Sequence, residues 1–473
     1  MKVKIIAILG LVLALNTNSY AQILHLEDAL QRSVVSYDRI KSKKSIVSAA
    51  AQNTSFQKQQ YLPDVTLAAQ QSFGTINAQH GPMYAYGGLA SAASSMPLAE
   101  QNWNAAFGSL YFANVNWNLF TFGRIKNQVE LGQKKEQIAS ADLDQEIFNH
   151  QIKVSASYFN LLASQRIQYV QERNYERAQV FFEMTDSRAK SGLIPEVDAS
   201  LAKAEVSNAK SLQIKSYDKV LEYSKSLAVL LADEFQTYQL DSLYSTSVPL
   251  NKFSATVNTV NRHPLLQFQE SRVNESVQAE QLVKTHRLPT LSVFGVIQGR
   301  GSGFESNYAQ DNNAYSSSYL KGVGMDRGNY LLGLSLSWNV TNLFRFNSKI
   351  KEQEFQTQAL QQDYDLLQKE LNAQSKMAQS QLHNAYANFD ETKIQLASAL
   401  LAYKQHTALY KNGLTTLVDY TQALYSLSRA EIDYEIAQNN VWQALLLLAA
   451  AQGDLSILIP NNYDKLLLLI FLQ

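Results

Sequence analysis

Apolar residues in this chain follow two spacings, every second residue and every third to fourth. Stretches of the two kinds succeed one another in the same order twice. Leu26, Ala29, Leu30, Val34 and Tyr37 form a stripe that predicts a helix from about residue 26 to 60. Val65, Leu67, Ala69 and Phe73 then fall on one side of a predicted strand. Residues 75–102, rich in Gly, Ala, Ser and Tyr, have no period and read as a long loop. A second strand alternates clearly. Trp103, Ala105, Phe107, Tyr111, Ala113, Val115, Trp117 and Leu119 face one way, and Asn104, Gly108, Asn114, Asn116 and Asn118 the other. Alternation over this length predicts one face in lipid and one in water. At ~3.3 Å per residue and ~45° tilt, Trp103 and Trp117 stand roughly 33 Å apart along a bilayer normal, the spacing of two aromatic girdles. The pattern then turns helical from Phe122 to Ser191, with Ile147, Val154 and Leu161 seven residues apart, a coiled-coil period. Some 70 residues at ~1.5 Å each give a helix on the order of 100 Å long. A shorter helix returns over about Val197 to Ala232.

The second half repeats this order. A helix from Pro264 to about His286 leads into Arg287-Leu288-Pro289-Thr290-Leu291, which answers Tyr61-Leu62-Pro63-Asp64-Val65. A second aperiodic stretch, Arg300 to Asn329, reads as a long loop. The next strand has Tyr330, Leu332, Leu334, Leu336, Trp338 and Val340 on one side, and Gly333, Ser335, Ser337, Asn339 and Thr341 on the other. Leu343-Phe344-Arg345-Phe346 echoes Leu119-Phe120-Thr121-Phe122. A Gln-rich helix without Gly or Pro runs from about Asn347 to Lys411, and a last helix carries Leu427, Tyr434, Val441 and Leu448 at seven-residue spacing. The long helix of each half ends at a Gly-Leu-x-x-x-Val-Asp motif: Gly192-Leu193-Ile194-Pro195-Glu196-Val197-Asp198, and Gly413-Leu414-Thr415-Thr416-Leu417-Val418-Asp419. Each Gly provides a positive-φ stop, and each Asp lies near the positive end of the following helix. Both motifs read as tight turns between antiparallel helices. The expected division is residues 22–250 for the first repeat, 251–457 for the second and 458–473 for an apolar tail.

The eight prolines fit this plan: none lies between 97 and 195 or between 289 and 460, where the long helices run. Lys2, Lys4 and the apolar run Ile5–Leu15, followed by Ser19-Tyr20-Ala21, predict a signal peptide over residues 1–21. Cysteine is absent, which predicts neither disulfides nor an N-terminal lipid. Lys plus Arg equals Asp plus Glu, so no basic footprint points to nucleic acid.

The paired Leu-Pro strand starts, the Trp-Asn-Leu-Phe and Trp-Asn-Val strand ends and the duplicated turns, in this order, resemble the TolC-like outer-membrane efflux family over nearly the whole mature chain. The resemblance implies an α+β membrane protein. In it, four strands per subunit of a homotrimer build an outer-membrane β-barrel continuous with a periplasmic α-helical barrel. It implies a passive channel of a tripartite efflux or type I secretion system in a Gram-negative outer membrane. Its partners would be lipid, a periplasmic adaptor (membrane fusion) protein and an inner-membrane RND or ABC pump. Carried over by residue, Gly192, Leu193, Gly413 and Leu414 are the adaptor-contact tips, and Asp419 contributes to an acidic ring at the periplasmic gate. Gln422 stands where a second carboxylate is common. Tyr410 and Asp198 match a hydrogen-bonded lock of the closed state, and Thr415 replaces a basic lock residue. Trp103, Trp117 and Trp338 form the membrane girdle. Independently of the resemblance, four strands cannot close a barrel, and an open edge in lipid is costly, so membrane strands here require an oligomer.

Two readings stay open for Asp198 and Asp419, a gate carboxylate or a helix-end carboxylate, and for Tyr410, a lock or a packing residue. The Gln-rich helix either lines a wet tunnel or is a solvated face. No His-Glu-x-x-His occurs, and Gly299-Arg300-Gly301-Ser302-Gly303 leads into a loop instead of a helix, which argues against a phosphate loop. No enzyme activity, metal or cofactor is expected. The competing reading from another class is an exported coiled-coil scaffold or adhesin without channel activity.

Overall fold

The structure is a computed structural model, described over residues 23–78, 95–249 and 262–459. The expected signal peptide and the apolar tail from Leu466 lie outside the described residues. In order the elements are α1 (Leu26–Ser36), α2 (Asp38–Gln59), β1 (Asp64–Thr75), β2 (Ala105–Phe120), α3 (Arg124–Lys190), α4 (Glu196–Leu231) and α5 (Leu243–Thr246). There follow α6 (Pro264–Thr285), β3 (Thr290–Ser302), α7 (Tyr319–Val323), β4 (Arg327–Ser337), α8 (Asn342–Lys411) and α9 (Leu417–Gln452). The two Pro-free gaps correspond to α3 and α8, of 67 and 70 residues. No described helix is long and apolar enough to cross a membrane. The chain divides into two compact units, one of Met1–Ala49, Gln137–Val273 and Gln358–Gln473, the other of Ala50–Glu136 and Asn274–Thr357.

The first unit is helical. Its core joins Val154, Tyr158, Phe159 and Leu161 of α3 to Leu227 and Leu231 of α4 and to Val441, Leu445 and Leu448 of α9, all buried. These include the positions at seven-residue spacing, which explains their period. Around them Phe159, Tyr244 and Trp442 pack at 4.8–5.9 Å between ring centroids, and the Trp442 indole donates to Ser247 O at 3.1 Å. Arg166 and Arg177 of α3 form two-pronged ion pairs with Glu435 and Glu431 of α9. The single helix expected over residues 26–60 is two. Tyr37 has extended backbone (φ −70, ψ 121), and its ring stacks on His150 at 3.8 Å. His150 is buried and its Nε2–H donates to Leu230 O, so burial pushes its pKa down.

The second unit carries one antiparallel sheet in the order β1-β2-β3-β4. The register pairs Leu67 with Ala113, Ala113 with Ile297 and Ile297 with Tyr330. Directly opposed residues share a face. One face therefore collects Val65, Leu67, Ala113, Val115, Trp117, Val293, Ile297, Leu332, Leu334 and Leu336. The other mixes Thr66, Asn114, Asn116, Asn118, Ser292 and Ser335 with Leu110, Phe112, Phe294, Val296 and Leu331. The positions singled out from sequence keep their expected sidedness, although apolar residues also enter the second face, and three further corrections apply. β2 begins at Ala105, so Trp103 precedes the strand, and β4 ends at Ser337, so Trp338, Asn339, Val340 and Thr341 follow it. A bulge between Asn118 and Phe120 sets Phe120, not Leu119, opposite Leu291. The stretch Arg300–Asn329 is not all loop, because β3 reaches Ser302, β4 starts at Arg327 and α7 lies between them. The echo of Leu119–Phe122 in Leu343–Phe346 is one of sequence only. The first ends in positive-φ Phe122 and Gly123, whereas the second lies inside α8.

Candidate functional site

Two places gather the residues singled out by sequence: the turns in the helical unit and the apolar face of the sheet. At the turns, Gly192 and Gly413 have φ of 69° and 71°. The N–H of Leu193 reaches Arg188 O at 3.0 Å and that of Leu414 reaches Leu409 O at 2.9 Å, while Gly192 and Gly413 bond Ala189 O and Tyr410 O. These are the paired bonds of a left-handed helix stop, which satisfy carbonyls the helix leaves free. Leu193 and Val197 are exposed at the first turn, and Leu414 and Val418 at the second. The Val of each motif therefore points outward with its Leu four residues earlier, and each turn presents a small apolar knob. An added Cβ would meet nothing within 4 Å at Gly192 and only the Arg188 tip, at 3.8 Å, at Gly413. Gly413→Val is thus strained by backbone alone, at about 1–2 kcal/mol. If the turn contacts an adaptor, as the resemblance implies, the expected result is normal assembly with weakened adaptor cross-linking at the turn, and unchanged cross-linking would count against that contact.

The two helices after the turns start differently. Thr416 caps α9 in a capping box: its hydroxyl accepts from Asp419 N, and Asp419 Oδ2 accepts from Thr415 Oγ1, Thr416 Oγ1 and Thr416 N. These donors hold the Asp419 carboxyl below its ordinary value of 3.8. The capping contribution is present above that ordinary value and is lost as pH falls through the depressed one. α4 instead starts after Pro195, which has neither hydroxyl nor N–H to offer, so Asp198 makes no side-chain hydrogen bond among the described residues. Gln422 is exposed one turn beyond Asp419.

Beneath the turns Phe181, Tyr410, Tyr420, Leu417 and Leu424 form a buried cluster. Phe181 stacks on Tyr420 at 3.9 Å, and the Tyr420 and Tyr403 hydroxyls lie 3.3 Å apart. Tyr410 is buried here, and its hydroxyl has no hydrogen-bond partner among the described residues. The expected Tyr410–Asp198 bond is therefore not formed within the chain, because the ring is enclosed by Phe181, Tyr420 and Arg188. Arg188, which in sequence has no signal beyond being a charge on a long helix, makes a link to Tyr410 within the chain. Its Nη1 donates to Tyr410 O at 2.9 Å, and the guanidinium lies 5.6 Å over the Tyr410 ring. It ties the end of α3 to the end of α8, where carbonyls carry partial negative charge.

In the sheet unit, Trp117 and Trp338 have matching roles. Trp117 donates to Tyr61 O at 2.8 Å and Trp338 to Arg287 O at 3.0 Å, two residues before Pro63 and Pro289. Each fixes a helix-to-strand corner at the same end of the sheet. Trp103, 80% exposed, precedes β2 at the other end. Among the described residues no group of three or more His, Asp or Glu is placed to hold a metal.

No curated protein sequence matches the chain. Among solved structures, it superposes on the CusC channel at a TM-score of 0.74, with 14% identity over 92% of this chain and 96% of that one. The CmeC outer membrane channel of Campylobacter jejuni gives 0.71 at 14% identity, over 90% and 85% of the two chains. The open-state MtrE channel of Neisseria gonorrhoeae gives 0.71 at 14% identity, over 91% and 89%. These likenesses establish the fold. The family of outer membrane efflux proteins matches the sequence twice, over residues 39–233 and 257–454, once in each half. The chain belongs to the outer membrane efflux protein family.

Proposed function

We propose that this chain is one subunit of a homotrimeric outer-membrane duct that passively conducts substrates out of a Gram-negative cell. The observation that carries the reading is the four-stranded sheet, with one predominantly apolar face and one that gathers the Asn and Ser residues among a few apolar ones, whose outer strands β1 and β4 each pair on one side only. A strand edge in lipid leaves N–H and C=O groups unsatisfied, and closure against other copies removes both edges. The strands are 11 to 16 residues long, enough to cross a hydrocarbon core at a tilt. Three copies would close a twelve-stranded barrel, the number three resting on the family. The helices would line the periplasmic duct. The Leu-Val knobs at the turns fit a periplasmic adaptor, and the energy would come from an inner-membrane pump of the RND or ABC class. That CusC, CmeC and MtrE are channels supports this reading. A scaffold or adhesin gives no reason for the broad apolar face formed by Val65, Leu67, Val115, Val293, Leu332, Leu334 and Leu336. The test combines gel migration of the outer-membrane fraction with planar-bilayer recording. A trimer band that shifts on boiling, together with discrete conductance, is expected, and a boiling-insensitive monomer without conductance would overturn the reading.

Within this duct Asp419 is read as a gate carboxylate as well as a cap. Its Oδ2 takes all the capping bonds, and Oδ1 takes none among the described residues. Three such groups near an axis attract cations, and salt screens the effect. Asp419→Asn is expected to lower cation preference at low salt with a smaller change in conductance. Unaltered selectivity would leave Asp419 a capping residue only.

A further inference from the structure

The β3–β4 connection does not leave the sheet. Its segment Ser318–Asp326, which contains α7, lies back across the apolar face at the sheet end away from the helices, over Phe107, Ser109, Tyr111, Gly299 and Gly301. Three glycines make the seat. A Cβ on Gly301 would stand 1.7 Å from Gly324 O, one on Gly299 2.3 Å from Met325 Sδ, and one on Gly322 2.2 Å from Phe107 O. The rings of Phe107 and Tyr319 meet edge to face at 5.1 Å, and Asp326 N bonds Arg300 O at 2.8 Å.

The segment changes the chemistry of the surface it covers. Gln71, Ser109 and Tyr111 bring polar side-chain atoms to an otherwise apolar face, and all three are bonded beneath or beside it. Tyr111 Oη and Ser109 Oγ donate to Val323 O at 3.0 and 3.3 Å. Tyr319 Oη donates to Gln71 Oε1 at 2.7 Å, and Gln71 Nε2 donates to Tyr111 Oη at 3.2 Å. Outward, the segment presents Leu320, 83% exposed, and Met325, 72% exposed, with Tyr319 beside them. Lys321 stays at its margin, paired with Glu305 at 3.2 Å. The polar atoms of Gln71, Ser109 and Tyr111 are thus bonded at the seat, while Leu320 and Met325 are exposed on the same face as Leu332, Leu334 and Leu336, with Ser318, Lys321 and Asp326 also exposed along the segment. A segment facing water would have the opposite polarity.

We propose that Ser318–Asp326 is a lipid-contacting strap on the outside of the barrel wall, with Leu320 and Met325 entering the acyl-chain region of the outer leaflet beneath the headgroups. The proposal rests on the reading of the sheet as a membrane wall, and the test separates the two. Because the chain lacks cysteine, a single Leu320→Cys substitution allows one nitroxide label per chain in the assembled full-length protein. In phosphatidylcholine vesicles, label collisions with lipid-soluble oxygen and with a water-soluble nickel chelate are compared at Leu320→Cys, Met325→Cys, Leu334→Cys and Ser335→Cys. The expected oxygen-to-nickel ratio at 320, 325 and 334 is several-fold higher than at 335. A nickel-dominated signal at 320 and 325 with an oxygen-dominated one at 334 would overturn the strap and leave the barrel. A nickel-dominated signal at 334 would overturn both.

Discussion

Leu334→Arg is expected to abolish heat-modifiable trimers in the outer-membrane fraction, while the neighbouring Ser335→Arg assembles at near-normal levels. Leu334 lies mid-strand in β4, opposite Val293 and on the face with Leu332 and Leu336. It is 69% exposed in the single chain. If that face meets lipid, an arginine near the midplane costs about 2–4 kcal/mol per chain, and a trimer incurs the cost three times. Ser335 opposes Ser292 on the other face, where a lumen would supply water and the guanidinium costs little. Adjacent positions share strand, depth and expression context, so the comparison isolates direction. Phe107 serves less well although it shares Leu334's face, since Gly322 and Tyr319 pack on it and an arginine there must first displace the strap. Equal assembly of the two variants would show that this face does not meet hydrocarbon.

That prediction was legible in the sequence because the side-chain period of a strand is two and the register carries one strand's pattern across the sheet. The turns were legible for a similar local reason: Gly at a helix end and an acid a few residues on are short-range signals. What could not be read depends on residues distant in the chain. The stripe from Leu26 to Tyr37 gives no hint that the helix breaks at Tyr37, because the stacking of that ring on His150 is set by tertiary packing. From sequence the loop begins at Arg300, yet Gly299 and Gly301 both lie in β3 and are small so that the strap can pass over them. Composition shows a glycine-rich stretch but not what presses on it. The tip Asp residues, alike in sequence, part company because one follows a Thr cap and the other a Pro.

At the tips the chain holds a second tie beside the expected Tyr410–Asp198 lock between adjacent hairpins. A Tyr410–Asp198 lock would make Tyr410→Phe open the channel. In the structure the Tyr410 hydroxyl is buried without a partner among the described residues, a condition that costs about 1–3 kcal/mol. Tyr410→Phe removes that cost, keeps the ring contacts with Phe181 and Tyr420, and is expected to leave conductance unchanged with equal or greater stability. Arg188 is the residue whose loss should matter. Its bond to Tyr410 O has a charged donor, a kind that contributes about 1.5–3 kcal/mol, and its position over the ring adds about 0.5–1 kcal/mol. If the tie is made only in the closed state of the proposed gate, then, since about 1.4 kcal/mol is tenfold in an equilibrium constant, its loss shifts the closed–open balance by at least that factor per chain. Arg188→Ala is therefore expected to raise single-channel conductance or open probability in planar bilayers. Arg188→Lys should restore part of the effect, because an ammonium can still donate to a carbonyl but cannot lie flat on a ring. Ion preference should stay the same in both, as Asp419 is untouched. If Tyr410→Phe opens the channel and Arg188→Ala does not, the closed state is held by the Tyr410 hydroxyl against an acceptor on a neighbouring subunit, and the Arg188 tie only packs the hairpin.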